Sequence, residues 1–287
     1  MALTLLSAAP ALGACGSGGG DTMAAMTSST SGVGGQAADG GPASEAADAT
    51  RSYGADPAQV YDVRRADPGH ARGVTVVVVH GGFWRAAYDR EHATPEARAF
   101  VEAGYDVAVA EYRRVGMPGG GVPGTLDDVR DLVAAVRADP DLPHRVILVG
   151  HSAGGHLVAW AANQTWADGL LGVVSLAGVV DLRAADGLHL GDDATRAFVG
   201  GPPSDSGPWD LADPMASLPP RVPVRLVVGS DDTVVPPVVA DDYLARSTAG
   251  HADVTLDVVP GADHFALIDP QSPAFAHVLA AVADLTS

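Results

Sequence analysis

The sequence predicts an α/β fold, with a mostly parallel central sheet and helices on both faces. Apolar, β-branched runs over residues 74–80 and 146–149 are typical of strands buried on both sides. Segments with helix start and stop signals lie between such runs. The resulting order of strand, helix, strand, helix, strand favours crossover connections, which are characteristic of a parallel sheet.

The same patterns give the individual elements. Thr94-Pro95-Glu96 predicts a helix start, and Gly104 predicts its stop. Thr125 is a candidate N-cap, with Asp128 completing a capping box. The predicted strands cover residues 60–65 (an edge strand), 74–80, 106–112, 146–149, 170–176, 222–229 and 254–259, and the helices 94–103, 125–138, 155–162, 238–247 and 273–285.

An irregular insertion interrupts this alternation at about residues 181–220. It contains Gly200-Gly201-Pro202-Pro203, Asp213-Pro214 and Pro219-Pro220, with one short helix expected over residues 194–199. We interpret it as a cap over the carboxyl edge of the sheet. It is too short for a separate lid domain, so we expect a fairly open pocket.

Length and charge limit the function classes. The 287 residues suffice for one large domain and a tail. The net charge of −18 repels phosphate backbones, which makes nucleic acid an unfavourable partner. The single cysteine, Cys15, excludes an internal disulfide and any cysteine-cluster metal site. We expect no cofactor and no metal, and the sequence leaves the oligomeric state open.

The N-terminus has the pattern of an export signal. Residues 1–15 combine an apolar stretch with Leu12-Gly13-Ala14-Cys15, which resembles the cleavage box of bacterial lipoproteins, where the cysteine is lipidated. No Lys or Arg precedes the apolar stretch, so a cytoplasmic protein with an apolar tail is the alternative. Residues 16–50 are rich in Gly, Ser, Ala and Thr and predict a disordered linker ahead of the domain at 51–287. The expected location is the cell surface or the exterior, with membrane contact only through a lipid anchor.

The strongest motif is Gly150-His151-Ser152-Ala153-Gly154, between a predicted strand and a predicted helix. A turn this tight strains the serine backbone and presents its hydroxyl at the carboxyl edge of the sheet. The backbone N–H of Ala153 would then lie at a helix N-terminus, where it can stabilise negative charge.

A second glycine turn, His80-Gly81-Gly82-Phe83-Trp84, directly follows an early buried strand. The N–H groups of Gly82 and Phe83 are candidates for the rest of an oxyanion hole. We expect His80 to brace this loop, and Gly81 to lie at the pocket. Trp84 either lines the pocket or packs beneath the loop.

Two further histidines flank the serine. His151 is a candidate pocket residue, and both His151 and His156 are expected to support the turn rather than bind metal, because no second set of ligands has zinc-like spacing.

Ser152, an aspartate after a late strand and His264 after the last strand occur in the order nucleophile, acid, histidine. In this arrangement His264 takes the serine proton, and the aspartate holds the imidazole in the correct tautomer. Asp231 and Asp232 compete for the acid position. In related sequences the acid commonly lies four residues before a proline, and Asp232-Thr233-Val234-Val235-Pro236 is similar to that pattern, which favours Asp232.

These motifs resemble the kynurenine formamidase and bacterial carboxylesterase branch of the α/β-hydrolase superfamily. The resemblance covers about residues 60–285 and implies an α/β-hydrolase fold. Phe83 stands where hormone-sensitive-lipase-like esterases usually carry a third glycine, which places the chain nearer the formamidases. The family resemblance is carried by residues His80–Trp84, Gly150–Leu157, Phe198-Val199-Gly200-Gly201 and Gly261-Ala262-Asp263-His264-Phe265.

The favoured function is a serine hydrolase that cleaves a small ester or an aryl-formamide through an acyl-enzyme. Kynurenine formamidase itself is an alternative, although its intracellular substrate fits poorly with an export signal. Two further alternatives are a peptidase similar to prolyl oligopeptidase and a surface-tethered binding protein on an inactive hydrolase fold.

Overall fold

One eight-stranded sheet forms the centre of the domain. In the computed structural model, which describes residues 46–204 and 206–287, its strands are β1 Ala49–Ser52, β2 Val60–Arg64, β3 Thr75–Val79, β4 Asp106–Ala110, β5 Val146–His151, β6 Gly172–Leu176, β7 Val224–Gly229 and β8 Val254–Val259. Their order across the sheet is β1-β2-β4-β3-β5-β6-β7-β8. The β1–β2 and β2–β4 pairs are antiparallel, and all other neighbours are parallel.

Helices cover both faces of this sheet. They are α1 Thr94–Glu102, α2 Gly124–Ala138, α3 Ala153–Ala162, α4 Leu182–Gly187, α5 Ala194–Val199, α6 Pro208–Ala212, α7 Val238–Ala249 and α8 Phe275–Asp284. Successive side chains of a strand point to opposite faces. Val77 and Val79 of β3 therefore pack in one core with α2, α3 and α7, while Val76 and Val78 pack in the other with α1 and α8. The predicted α/β class with helices on both faces is confirmed.

The predicted edge strand, β2, is the second strand of the sheet, because β1 lies outside it at the edge. β1 pairs with β2, matching Ala49 with Val63 and Ser52 with Val60. This strand begins inside the stretch that the composition assigned to the linker, so the ordered domain starts earlier than residue 51. Only pairing with a distant partner makes this short polar segment a strand, and its own sequence carries no strand signal.

The capping box predicted at the start of α2 is wrong. Pro123 occupies the N-cap position and makes no side-chain cap. The Thr125 hydroxyl instead donates to the Arg113 carbonyl at 2.6 Å. The Asp128 carboxylate accepts from Arg113 Nη2 at 2.6 Å and from the Gln59 amide at 2.8 Å. Both side chains are buried and tie the helix to the loop after β4, so tertiary contacts take the groups that a local cap would use.

The insertion predicted over residues 181–220 contains three short helices, α4, α5 and α6, together with a 3₁₀ turn at Pro214–Ser217. The helix expected over residues 194–199 is α5. Buried Phe198, Trp209 and Met215 join this insertion to the core on the α3 side of the sheet.

The predictions for the N-terminus, including lipidation at Cys15, fall on residues 1–45, outside the described part of the chain. Among the described residues, no helix has the length and apolar character needed to cross a membrane.

Candidate active site

Ser152 stands in a strained turn between β5 and α3. Its backbone has φ 55° and ψ −115°, a region that residues with a side chain rarely adopt. The Ser152 N–H donates to the Leu176 carbonyl at 2.8 Å, and its carbonyl accepts from the His156 N–H at 3.0 Å. These bonds hold the conformation from both sides, as the motif predicts.

The two glycines of the motif are needed because backbone atoms lie against them. A Cβ on Gly150 would lie 2.3 Å from the Gly154 carbonyl oxygen. A Cβ on Gly154 would lie 2.0 Å from the Val79 carbonyl oxygen of the neighbouring strand. Both separations are far below contact distance, so β5, α3 and β3 approach this closely only with glycine present.

The loops after β7 and β8 bring Asp232 and His264 together. His264 Nδ1 donates to Asp232 Oδ2 at 2.7 Å. The other carboxylate oxygen, Oδ1, accepts from the N–H groups of Val234 and Val235, each at 2.8 Å. Burial raises the pKa of Asp232, but these three hydrogen bonds and the nearby imidazole outweigh it and hold the pKa below its ordinary value.

An ionised Asp232 fixes the protons of His264. A carboxylate only accepts, so the proton of a neutral His264 must lie on Nδ1, and Nε2 then carries a free lone pair. Asp231 is exposed, accepts from the Ser230 hydroxyl at 2.8 Å and makes no hydrogen bond to His264. The structure therefore brings Asp232, the favoured aspartate, to the histidine.

The glycine turn after β3 lies directly against the serine. A Cβ on Gly81 would be 3.1 Å from Ser152 Cβ. The backbone of Gly82 has φ 105° and that of Phe83 has φ 50°. In the described part of the chain, the N–H groups of these two residues make no backbone hydrogen bond. Both predicted loop donors are thus free beside Ser152, and Ala153 opens α3 on its other side.

A small cavity of about 80 Å³ connects these elements. Of the four residues named as pocket candidates, His151 lines it; His80, Gly81 and Trp84 do not. The cavity is lined by Gly82, Phe83, Tyr88, His92, His151, Ser152, Val234, His264 and Phe265. Ser152 and His264 therefore face the same space, although no hydrogen bond joins Ser152 Oγ to His264 Nε2 among the described residues.

Sequence reasoning did not assign Tyr88, His92, Val234 or Phe265 to the cavity. Val234 and Phe265 are close neighbours of Asp232 and His264, so that proximity was an available signal. Tyr88 and His92 had none. His92 reaches the cavity from a 3₁₀ turn at Arg90–Ala93, which Asp89 caps by accepting from the Glu91 N–H, and Tyr88 lies just before this turn.

His151 supports the histidine loop. Its Nε2 donates to the His264 carbonyl at 2.9 Å, and the two rings lie 4.5 Å apart. Burial, followed by the proximity of His264, lowers the pKa of His151 to about 3. The ring is thus neutral beside His264 and does not oppose its protonation.

Trp84 and His156 form a buried link beneath the loop, which settles the two alternatives for Trp84. Trp84 Nε1 donates to His156 Nδ1 at 3.2 Å, and His156 Nε2 donates to the Ala212 carbonyl of α6 at 2.8 Å. Trp84 also stacks on Phe198 of α5 at 4.5 Å. Trp84 therefore packs under the loop and joins it to the cap insertion.

His80 braces the loop, as expected. Its Nδ1 lies 2.8 Å from the Gly81 carbonyl oxygen and its Nε2 lies 3.2 Å from Glu111 Oε1. Within residues 46–204 and 206–287, no group of three His, Cys, Asp or Glu side chains is arranged to hold a metal ion.

Comparisons with known proteins identify the family of the chain. Residues 61–243, more than half of the chain, match the sequence model of the family described as BD-FAE. A kynurenine formamidase from Salmo salar is 25% identical over 207 residues, which are 68% of this chain. The match spans 66% of that relative's length.

Solved structures share the fold. A truncated carbohydrate esterase from gut microbiota superposes with a TM-score of 0.68 at 19% identity, covering 86% of this chain and 99% of that chain. Esterase B from Lactobacillus rhamnosis, solved with a tributyrin phosphonate, gives 0.66 at 20% identity and covers 84% of this chain and 87% of that chain. The chain belongs to the BD-FAE family and has the α/β-hydrolase fold.

Proposed function

We propose that the protein is a serine hydrolase that cleaves small carboxylic esters through an acyl-enzyme. Ser152 is the nucleophile, His264 the general base and acid, and Asp232 the group that orients His264. The observation that carries this proposal is the 2.7 Å Asp232–His264 hydrogen bond at a cavity that both His264 and Ser152 line.

In the acylation step, Ser152 Oγ attacks the carbonyl carbon of the substrate while His264 Nε2 takes its proton. The resulting imidazolium is stabilised by the Asp232 carboxylate through Nδ1. When the tetrahedral intermediate collapses, the bond to the leaving group breaks and His264 returns the proton to that group. Water then attacks the acyl-enzyme by the same route and releases the acid.

The negative charge of the intermediate would be bound by backbone donors. Those of Gly82 and Phe83 are free on one side of Ser152, and that of Ala153 lies at the start of α3 on the other. Donors fixed in advance need no reorganisation during the reaction, and removing one typically costs about 10²–10³ in kcat.

The cavity size favours a short acyl group. A volume of about 80 Å³ accommodates only a few non-hydrogen atoms beside the serine. Tyr88 and Phe265 are 46% and 53% exposed at the same cavity, so an apolar leaving group would find aromatic contacts there.

Aryl-formamides are the second candidate substrates. Formyl is the smallest acyl group and fits the same volume, and the chain is similar to a kynurenine formamidase over 68% of its length. Formamide cleavage would use the same groups, with an amine as leaving group.

A fluorophosphonate probe on the full chain, with Ser152→Ala beside it, tests the mechanism. We expect labelling of the wild type, none of the variant, and a loss of about 10³-fold or more in kcat on p-nitrophenyl acetate. No labelling of a folded wild type would favour a non-catalytic binding protein.

Substrate comparison sharpens the result. Faster turnover of p-nitrophenyl acetate than of the hexanoate, N-formylkynurenine or dipeptide anilides would support a short-chain esterase. Faster formamide turnover would make the protein a formamidase, and faster anilide turnover a peptidase.

A further inference from the structure

His80 lies beneath the loop that supplies the proposed oxyanion donors, and both of its ring nitrogens face oxygen acceptors. Nδ1 is 2.8 Å from the Gly81 carbonyl oxygen, and Nε2 is 3.2 Å from Glu111 Oε1. The ring is almost fully buried and stacks on Tyr112 at 4.4 Å. It lies outside the cavity and has no access to substrate.

The Gly81 carbonyl and Glu111 Oε1 each face one ring nitrogen of His80, so two protons must be shared between His80 and Glu111. A neutral imidazole carries one N–H, so one nitrogen lone pair would face an oxygen. Protonation of either His80 or Glu111 satisfies both contacts, and the neighbours of Glu111 decide between them.

Glu111 is surrounded by donors. Its Oε1 accepts from the Tyr112 N–H at 3.0 Å and lies 2.8 Å from Arg114 Nη1. Its Oε2 accepts from the Arg90 N–H at 3.1 Å. Burial raises the pKa of Glu111, but His80, Arg114 and the Arg90 N–H outweigh burial and lower it. Apart from His80, Glu111 already has three donors on its two oxygens, from the Tyr112 N–H, Arg114 and the Arg90 N–H. This geometry favours Glu111 as the carboxylate, so the second proton belongs to His80.

The hydrogen bond from His80 Nδ1 acts on the peptide that carries a proposed oxyanion donor. The Gly81 carbonyl and the Gly82 N–H belong to one peptide unit, and in a trans peptide they point in opposite directions. With the carbonyl held by His80, the Gly82 N–H points away from the ring, and Gly82 lines the cavity. A hydrogen bond to a carbonyl also polarises the N–H of the same unit.

We propose that His80 is a positioning residue that donates from both ring nitrogens, fixing the Gly81–Gly82 peptide and strengthening the Gly82 N–H as an oxyanion donor. This inference rests on the proposed hydrolase function. It assigns Glu111 the role of retaining the His80 proton in a buried site.

The charged groups around His80 define its protonation. Glu111 is the anion in contact with the ring, and Arg114 and Arg90 are the cations on Glu111, with Arg90 Nη1 3.9 Å from Oε2. Tyr112 faces the ring and its hydroxyl donates to the His80 carbonyl at 2.8 Å. His92 interacts with His80 electrostatically from the 3₁₀ turn.

Nitrogen-15 NMR of the imidazoles in the full chain tests the protonation directly. The His80 signals are assigned by their absence in His80→Asn. We expect two protonated ring nitrogens at pH 7.5 in the wild type and one in Glu111→Gln. A wild-type His80 with one unprotonated nitrogen at this pH overturns the proposal, whether or not the protein hydrolyses esters.

Kinetics of Glu111→Gln test the consequence. The glutamine amide can donate to Nε2 while the Nδ1 hydrogen bond to Gly81 persists, so geometry is retained and charge is lost. We expect kcat on p-nitrophenyl acetate to fall about 10-fold, less than the loss for deleting a donor, while KM changes little.

Tyr112→Phe is the matched control. It removes a hydrogen bond to the His80 carbonyl but no charge, so His80 should keep a proton on both ring nitrogens and kcat should fall less than in Glu111→Gln. A folded Glu111→Gln enzyme with unchanged kcat would refute the polarisation. Inactivity of the wild type would refute the proposed function instead, and the NMR result would still stand.

Discussion

The two sides of the candidate site are built differently. One side, the backbone wall (residues 81–83 and 150–155), consists of turns with backbone groups packed against each other. The other, the side-chain wall (residues 232–235 and 264–265), consists of side chains held by hydrogen bonds. On the backbone wall a Cβ on Gly154 would lie 2.0 Å from a carbonyl oxygen. On the side-chain wall the decisive contact is the 2.7 Å Asp232–His264 bond.

This difference separates steric from electrostatic requirements. The backbone wall depends on the absence of side chains, so substitutions there should mainly lower the free energy of unfolding. The side-chain wall depends on charge and proton position, so an isosteric substitution can leave the fold intact and still remove activity. A substitution at Asp232 changes only the side-chain wall, and one at Gly154 changes only the backbone wall.

The largest effect is expected from Asp232→Asn. The neutral amide cannot stabilise the positive charge of the His264 imidazolium, and it favours the wrong imidazole tautomer. In a comparable triad this substitution costs about 10⁴ in kcat. Steady-state rates on p-nitrophenyl acetate measure the loss, and thermal unfolding checks that the fold persists. Asp231→Asn is the matched control and should retain wild-type activity. The reverse ranking would refute the role of Asp232.

Gly154→Ala should act through the backbone wall. Because its Cβ would meet the Val79 carbonyl oxygen at 2.0 Å, β3 and α3 must separate, at an expected cost of about 3 kcal/mol or more in unfolding free energy. Urea denaturation measures this difference.

Gly187→Ala is the control for that experiment. No atom lies within 4 Å of its Cβ position at the end of α4, so the same substitution should be neutral or stabilising, by at most about 1 kcal/mol. Equal stability losses in both variants would contradict the packing argument.

The smallest effect concerns His156, which supports the backbone wall from below. Burial lowers its pKa from 6.5 to about 4, so the unfolded chain binds a proton in this interval that the folded protein excludes. The contribution of His156 to stability should therefore fall as pH drops from 6.5 toward 4, by at most about 1.4 kcal/mol per pH unit, and buried His151 adds a decrease of the same sign. Protonation would also remove the acceptor of the Trp84 Nε1–H.

His156→Gln should remove the His156 share of this acid dependence and leave that of His151. A glutamine can accept from Trp84 and donate to the Ala212 carbonyl without titrating. Melting temperatures between pH 7 and 4.5 measure the slope, and His144→Gln, at an exposed position, should keep the wild-type slope. An unchanged slope in His156→Gln would refute the assignment.

Much of the fold and site could be predicted from local patterns, for two reasons. Buried parallel strands are continuous apolar runs, so β3 and β5 are visible in the sequence at nearly their observed bounds. Strained turns demand glycine, so both turns of the backbone wall are marked in the sequence. The side-chain wall was predicted through chain order and the Asp-x-Val-Val-Pro pattern.

The failures share one cause, which is competition from distant partners. β1 forms because β2 offers a free edge, and Thr125 and Asp128 bind Arg113 instead of capping α2. Tyr88 and His92 enter the cavity because the 3₁₀ turn packs beside β3 and β4. No local pattern reports such contacts.

The sequence by itself determined the strands β2 to β8 and the two glycine turns, because each follows from periodicity or from a steric demand within a few residues. Chain order and a pattern common in related sequences determined the choice of Ser152, Asp232 and His264. The tertiary structure alone decided which residues line the cavity. It also decided that Trp84 packs beneath the loop, and that His80 faces two acceptors at once. Those outcomes depend on where the carboxyl ends of separate strands meet and on how little water remains between them, and distance and burial exist only in the folded chain.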